Sequence, residues 1–167
     1  MWNKSRMKRR SWMASLKSED GQALIETYLS GAFLILLLLG GAEFGRIAYA
    51  ATELSNAARA AAQYAAMNGG AFSGSGLDTA GMLLAAQSDA ADLGSGVQFT
   101  RTPSYTCTCT GAGTAACGSP PSGCSASHLL VTINVQVQAS FIPLLYVPGF
   151  SHAAITLRGS DQEVVLQ

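Results

Sequence analysis

The sequence predicts an α+β protein, with a long N-terminal transmembrane helix that continues into an extracytoplasmic helix, then a small helix and an antiparallel β-sheet. Three observations carry this. An uncharged, Leu-rich run follows a basic N-terminus, and helical spacing of apolar residues persists well past that run. After Gly94-Ser95-Gly96 the apolar period then changes to two.

The basic N-terminus is hidden by a net charge of zero. Of the ten Lys and Arg residues, six lie in the first 17 positions: Lys4, Arg6, Lys8, Arg9, Arg10 and Lys17. From Gln22 onward four basic residues face eight acidic ones, so nothing downstream is built to grip nucleic acid. The 167 residues leave room for one modest domain beyond a membrane segment.

The apolar segment from Tyr28 to Ala42 contains Phe33-Leu34-Ile35-Leu36-Leu37-Leu38-Leu39 and no charge. The 16 uncharged residues between Glu26 and Glu43 make about 24 Å of helix, against a hydrocarbon core of about 30 Å. Starting the span at Ala23 restores the length and places Glu26 inside it. A carboxylate there costs free energy, less near the helix end than at its centre, and invites a functional explanation. Positive charge concentrated before the helix puts the N-terminus in the cytoplasm and the chain beyond Ala42 outside the inner membrane.

Ile47, Ala50, Leu54, Ala57, Ala58, Ala61, Tyr64 and Ala65 continue the helical spacing to Met67, and Asn68-Gly69-Gly70 supplies a stop. A helix over residues 22–67 is thus expected to be half membrane span and half aqueous stalk. Gly41-xxx-Gly45 and Ala61-xxx-Ala65 permit close approach of another backbone. Two readings are open for the aqueous half: cover by its own C-terminal domain, or packing against other subunits.

Gly69 to Gly76 reads as a Gly/Ser loop, and a helix is expected from about Leu77 to Leu93, with Met82, Leu83, Ala86 and Ala90 on one face. Val97 and Phe99 begin a short strand. Leu129, Val131, Ile133, Val135, Val137, Ala139 and Phe141 alternate through the clearest strand, and a last strand region, 154–166, is expected to break near Gly159-Ser160-Asp161. The domains read as a basic cytoplasmic leader, 1–21, a transmembrane helix and stalk, 22–67, and an extracytoplasmic α+β domain, 68–167.

An insert at 103–127 holds all four cysteines: Cys107, Cys109, Cys117 and Cys124. Outside the cytoplasm disulfides are favoured. Alternation through Thr106-Cys107-Thr108-Cys109-Thr110 puts two thiols on one face, suited to bridging Cys117 and Cys124 across a hairpin. A direct Cys107–Cys109 bond would be strained, so two pairings stay open. A zinc site and free thiols are weaker readings, since paired CxxC knuckles are absent.

Gly21-Gln22-Ala23-Leu24-Ile25-Glu26 sits where the basic tail meets the apolar helix, and this hexapeptide resembles type IV pilin-like processing signals. The resemblance implies cleavage after Gly21 by a prepilin peptidase, making Gln22 the first mature residue and Glu26 the fifth. In the tight-adherence branch a tyrosine directly follows the glutamate. Here Thr27 precedes Tyr28, unlike a major pilin. With Glu43-Phe44-Gly45-Arg46 and Asn56-Ala57-Ala58-Arg59-Ala60-Ala61-Ala62-Gln63-Tyr64-Ala65-Ala66, residues 21–66 are similar to the TadE-like family of pilus-assembly proteins, or minor pseudopilins. The resemblance implies a pilin-like fold, a structural role in assembling a tight-adherence (Flp) pilus, no enzymatic activity and no cofactor. Its implied partners are the inner membrane, the prepilin peptidase and other pilin or pseudopilin subunits.

Physically, Glu26 one turn inside a helix that starts with a free amine can neutralise the amine of a neighbouring subunit and fix axial register. The plainer reading is that it snorkels to the interface or stabilises the helix N-terminus. Glu43 and Arg46, three apart, read as a local interfacial pair.

Ala48-Tyr49-Ala50 has the form accepted by signal peptidase, but the cationic region is long and Glu43 and Arg46 intervene. No cysteine follows the apolar run in lipoprotein fashion. Gly149-Phe150-Ser151-His152-Ala153 and Gly111-Ala112-Gly113-Thr114-Ala115-Ala116 imitate a nucleophile elbow and a dinucleotide fingerprint without the strand-turn-helix context either needs. His128 and His152 read as loop residues. Pro143 to Phe150 reads as an apolar loop that plugs the core or meets a partner. The alternative function is a membrane-tethered, exported binding or adhesion module.

Overall fold

The computed structural model of the protein describes residues 19–68, 75–110, 113–118, 124, 129–144 and 153–166. The basic segment before residue 19, expected as part of a leader, residues 69–74 and 145–150, expected in loops, and His128 and His152 lie outside the described residues. The chain divides into two compact units, Met1–Phe44 and Gly45–Gln167.

Helix α1 spans Glu19–Met67, so it begins three residues before the expected start at Gln22. Gly21 does not halt it, because a helical glycine costs only about 0.5–1 kcal/mol relative to alanine. At the far end the backbone amide and the side-chain Nδ2 of Asn68 both donate to the Tyr64 carbonyl at 3.1 Å, satisfying a last-turn acceptor.

In the first unit the helix carries large apolar side chains in the open. Leu36 and Leu38 are 67% and 72% exposed, and the stretch is long and apolar enough to cross a membrane. In the second unit the same helix changes character. Ala50, Leu54, Ala57, Ala58, Ala61, Ala62 and Ala65 are buried, a stripe at three- and four-residue spacing that faces the sheet. The aqueous half is therefore covered by its own domain. Ile47 and Tyr64, expected in the stripe, are only half-buried, at its margin.

Helix α2 spans Thr79–Asp89, shorter at both ends than the expected 77–93. Its start is fixed by Asp78, whose Oδ1 accepts from the Gly81 amide at 3.1 Å as an N-cap. Oδ2 of the same carboxylate accepts from the Tyr64 hydroxyl at 3.0 Å, tying α2 to α1. A Cβ on Gly81 would meet the Tyr64 phenol and the Asp78 carboxylate, so a larger residue there would displace that bonded pair. Beyond Asp89 the backbone tightens into turns, with Leu93 N–H donating to Ala90 and Gly96 N–H to Leu93, which swings half-buried Leu93 onto the core. Met82, Ala86 and Ala90 are buried, whereas Leu83 is half-buried.

Among the described residues five strands follow: β1 (Gln98–Phe99), β2 (Ser104–Cys109), β3 (Gly113–Ala115), β4 (Leu129–Phe141) and β5 (Ile155–Leu166). All pairings are antiparallel, and β4 is the organiser. Its first half pairs with β2 and its second half with β1, so these two occupy one edge of β4 in succession while β5 runs along the other. Four residues, 100–103, oppose only Val135 and Gln136 between those pairings, a bulge held by Thr100 N–H to Gln136 at 2.9 Å. Every second residue of β4 from Leu129 to Phe141 is buried, as the alternation requires.

The last strand does not break at Gly159-Ser160-Asp161. It runs unbroken against β4, with Gly159 opposite Val137. The glycine serves a close approach rather than a turn: it is buried, and a Cβ there would collide with the Leu54 carbonyl of α1.

This packing is open to two tests. Gly159→Ala should cost about 1–3 kcal/mol, because the obstructing atom is backbone and cannot swing aside. Urea unfolding followed by circular dichroism in detergent checks it, with Gly96→Ala as the control, since a Cβ there meets nothing within 4 Å. The Gly81 amide, then the Tyr64 hydroxyl, hold the Asp78 carboxyl below its usual value of 3.8. A carboxyl depressed in the folded state stabilises above its unfolded pKa, and that contribution fades as pH falls through the folded value. Thermal midpoints measured below pH ~4 should therefore fall less steeply in Asp78→Asn than in the unaltered chain.

Candidate functional site

Two regions hold the residues singled out in the sequence. The first is the start of α1. Gly21, Gln22 and Glu26 all lie in the helix and are exposed, and a Cβ on Gly21 would meet nothing within 4 Å. Glu26 follows Gln22 by four residues, hence sits on the same face one turn further along. Thr27 bonds its hydroxyl to the Ala23 carbonyl at 2.9 Å and so places no unsatisfied donor on this apolar surface. Gly40, Gly41 and Gly45 likewise have open space where a Cβ would stand. At Gly41 and Gly45 a Cβ would thus meet nothing within 4 Å, while Ala61 and Ala65 belong to the chain's own core.

The second region is the cysteine-bearing hairpin. Cys107 is bonded to Cys117 and Cys109 to Cys124, with Cα separations of 5.5 and 5.8 Å. Of the two pairings left open by the sequence, this is the one adopted. The geometry follows from the strand period: Cys107 and Cys109 lie two apart on β2, both turned to the buried face, opposite Val131 and Leu129 of β4. β3 pairs back on β2, with Cys107 opposite Ala115, which brings Cys117 within reach. Three of the half-cystines, Cys107, Cys109 and Cys124, are themselves buried members of the core. No thiol remains for zinc, because all four cysteines are consumed. Gly113–Ala115 of the fingerprint look-alike is strand β3 rather than the opening of a helix.

Two contacts were not legible in the sequence. The Arg46 guanidinium stands 5.1 Å from the centroid of the Phe141 ring, a cation–π contact that joins the start of the second unit to the end of β4. Tyr49 donates its hydroxyl to Asp92 at 3.2 Å. Glu53, then Asp92, push the Tyr49 phenol up to about 12, since two nearby carboxylates disfavour a phenolate. The only available signal was spacing: Arg46, Tyr49 and Glu53 are three and four apart on one helix face, but their partners come from remote elements.

Residues 21–63 match the family model described as TadE-like protein, a match that lies wholly within α1. No curated protein and no solved structure matches the chain.

Reduction is expected to lower stability by about 3 kcal/mol for the 15-residue Cys109–Cys124 loop alone. Denaturant midpoints with and without reductant check this. Peptide mapping without reduction should recover Cys107 joined to Cys117 and Cys109 to Cys124, and a Cys107–Cys124 peptide would contradict the pairing.

Proposed function

We propose that this chain, TadE-like over residues 21–63, acts structurally, as a minor pilin-like membrane protein in the assembly of a tight-adherence pilus. The observation that carries this reading is the exposed, uncovered apolar half of α1 with Gly21, Gln22 and Glu26 at its head. In this reading α1 anchors the chain in the inner membrane as a single span. Residues 1–21 are a cytoplasmic leader and 68–167 an extracytoplasmic domain, with 22–67 as span and stalk. A prepilin peptidase removes the leader after Gly21.

The chemistry assigned to the head of α1 is electrostatic rather than catalytic. Cleavage after Gly21 creates an α-amine on Gln22. In an apolar packing of helices an unpaired amine or carboxylate is costly, and the two together offset that cost. Glu26 of one subunit facing the Gln22 amine of another therefore selects one axial offset between neighbouring helices. Pilin or pseudopilin subunits are the partners this implies, and the open glycines at 41 and 45 are surfaces on which a second helix backbone can approach closely.

Sequencing the N-terminus of the chain recovered from membranes tests the processing step. A start at Gln22 is expected; a start at Ala51 would mean secretion by signal peptidase, and a start at Met1 a permanent anchor. Gly21→Ala should leave the leader attached. Glu26→Ala should be processed yet fail to support filament assembly, as scored by electron microscopy and surface shearing. Normal filaments from both variants would overturn the assignment.

A further inference from the structure

The two disulfides are interlaced. Cys107 bonds to Cys117 across a sequence separation of 10 and Cys109 to Cys124 across 15, so the two spans overlap without nesting. Chain statistics favour other pairs, because the chance that two residues of an unfolded chain meet falls roughly as the three-halves power of their separation. Cys109 and Cys117 are eight residues apart, and Cys117 and Cys124 seven. With the strained Cys107–Cys109 bond set aside, non-native first bonds outnumber native ones by about two to one.

Register selects the native pairs instead. On the β2–β3 hairpin Cys107 stands opposite Ala115 and Cys109 opposite Gly113. Cys117 therefore lies two residues past the partner of Cys107 but four past the partner of Cys109, and its Cα comes to 5.5 Å from that of Cys107. The register is held from β4, since β3 has three residues, whereas β2 pairs with β4 all the way from Ser104 to Cys109. β4 begins at Leu129, after the last cysteine. All four thiols thus precede in the chain the strand that sorts them.

We propose that the chain reaches this pairing by disulfide exchange, as the substrate of a dithiol isomerase that acts once β4 has joined the sheet. The inference rests on the reading that 68–167 folds outside the cytoplasm, where an oxidant removes two electron pairs from the four thiols. In the nested isomer, Cys109–Cys117 with Cys107–Cys124, an isomerase thiolate attacks the Cys109 sulfur and releases the Cys117 thiolate. That thiolate attacks the Cys107 sulfur, forming Cys107–Cys117 and releasing the Cys124 thiolate. The Cys124 thiolate attacks the mixed disulfide at Cys109, forming Cys109–Cys124 and returning the isomerase thiolate. Two disulfides enter and two leave, so exchange consumes no oxidant. It ends there because Cys107, Cys109 and Cys124 are then buried in the core, out of reach of a further thiolate.

Ordered oxidation of the full chain tests this. Reduced chain, unfolded in guanidinium, is oxidised with excess diamide, moved into dodecyl maltoside micelles, and given a glutathione redox buffer with or without a purified dithiol isomerase. Tandem mass spectrometry of unreduced peptides reads the pairing at each stage. After diamide, chains with non-native bonds should outnumber native ones by about two to one. Under glutathione the native pairs should replace them, sooner with the isomerase present. Direct oxidation of the unfolded chain to the native pairs overturns the inference, and so does a mispaired chain that the isomerase leaves mispaired. Val131→Asp, which sets a charge in β4 opposite Cys107, should keep the unfolded mixture; native pairing in that variant overturns the sorting role of β4. In cells, an isomerase lacking its second thiol should trap the chain as a mixed disulfide. Bonded cysteines with no trapped complex overturn the inference alone, whereas four free thiols remove the extracytoplasmic reading with it.

Discussion

One continuous helix has to satisfy two surroundings, and the rest of the structure is arranged around that constraint. Over its first half α1 exposes Leu, Ile and Phe side chains; over its second half it buries a stripe of alanines around Leu54. The hydrophobic effect gives the two halves different tasks. Large exposed side chains bring apolar area to lipid, while alanines yield little area each but let the helix axis come close to the sheet. That closeness reaches its limit where the Leu54 carbonyl lies against Gly159, so the absence of a side chain on β5 is a condition of the helix–sheet distance.

The sheet in turn depends on β4. It alone pairs with three other strands among the described residues, and its buried alternation supplies the apolar floor onto which α1 and α2 pack. Along the β2 edge the two disulfides complete that floor. Cys107 and Cys109 occupy positions where strand geometry calls for apolar side chains, and their partners bring the far parts of the insert to the same core. A three-residue strand such as β3 is too short to hold a loop by backbone bonds alone. Covalent closure does so without requiring a larger core, which suits a domain of this size.

Much of this was legible in the sequence, and the failures have a common cause. The α1 stripe, the apolar span and the β4 alternation are set by local periodicity, which a one-dimensional pattern reports directly. So was the shared face of Cys107 and Cys109, because a period of two suffices to place them. Gly159 was misread as a break because glycine signals both turns and close approaches, and only the position of Leu54 in space separates the two. The early end of α2 was missed because Ala90 and Leu93 keep apolar spacing into a turn that remains packed on the core. Asp78 belongs to the same class: its role as cap is a local signal, but its bond to Tyr64 depends on how two helices meet. The head of α1 is legible only as a motif, since Gly21, Gln22 and Glu26 are all exposed and no burial pattern marks them.

Charge on the outer strand bears on how copies of the chain can meet. On β5 the side facing the core carries Asp161 and Glu163 opposite Val135 and Ile133, and Asp161 Oδ2 is buried without a hydrogen-bond partner among the described residues. Such acids weaken the strand's packing, yet on an edge strand they also discourage a further strand from adding, since each new pairing would bury them more deeply. A twelve-residue edge left apolar on that face would be open to pairing with the same edge of another copy. The fold thus makes its sheet edge a poor place for association and leaves its strongest apolar surface on α1. In the proposed assembly, contacts between copies therefore avoid strand addition, where register can slip by two residues, and use the helix that carries Glu26.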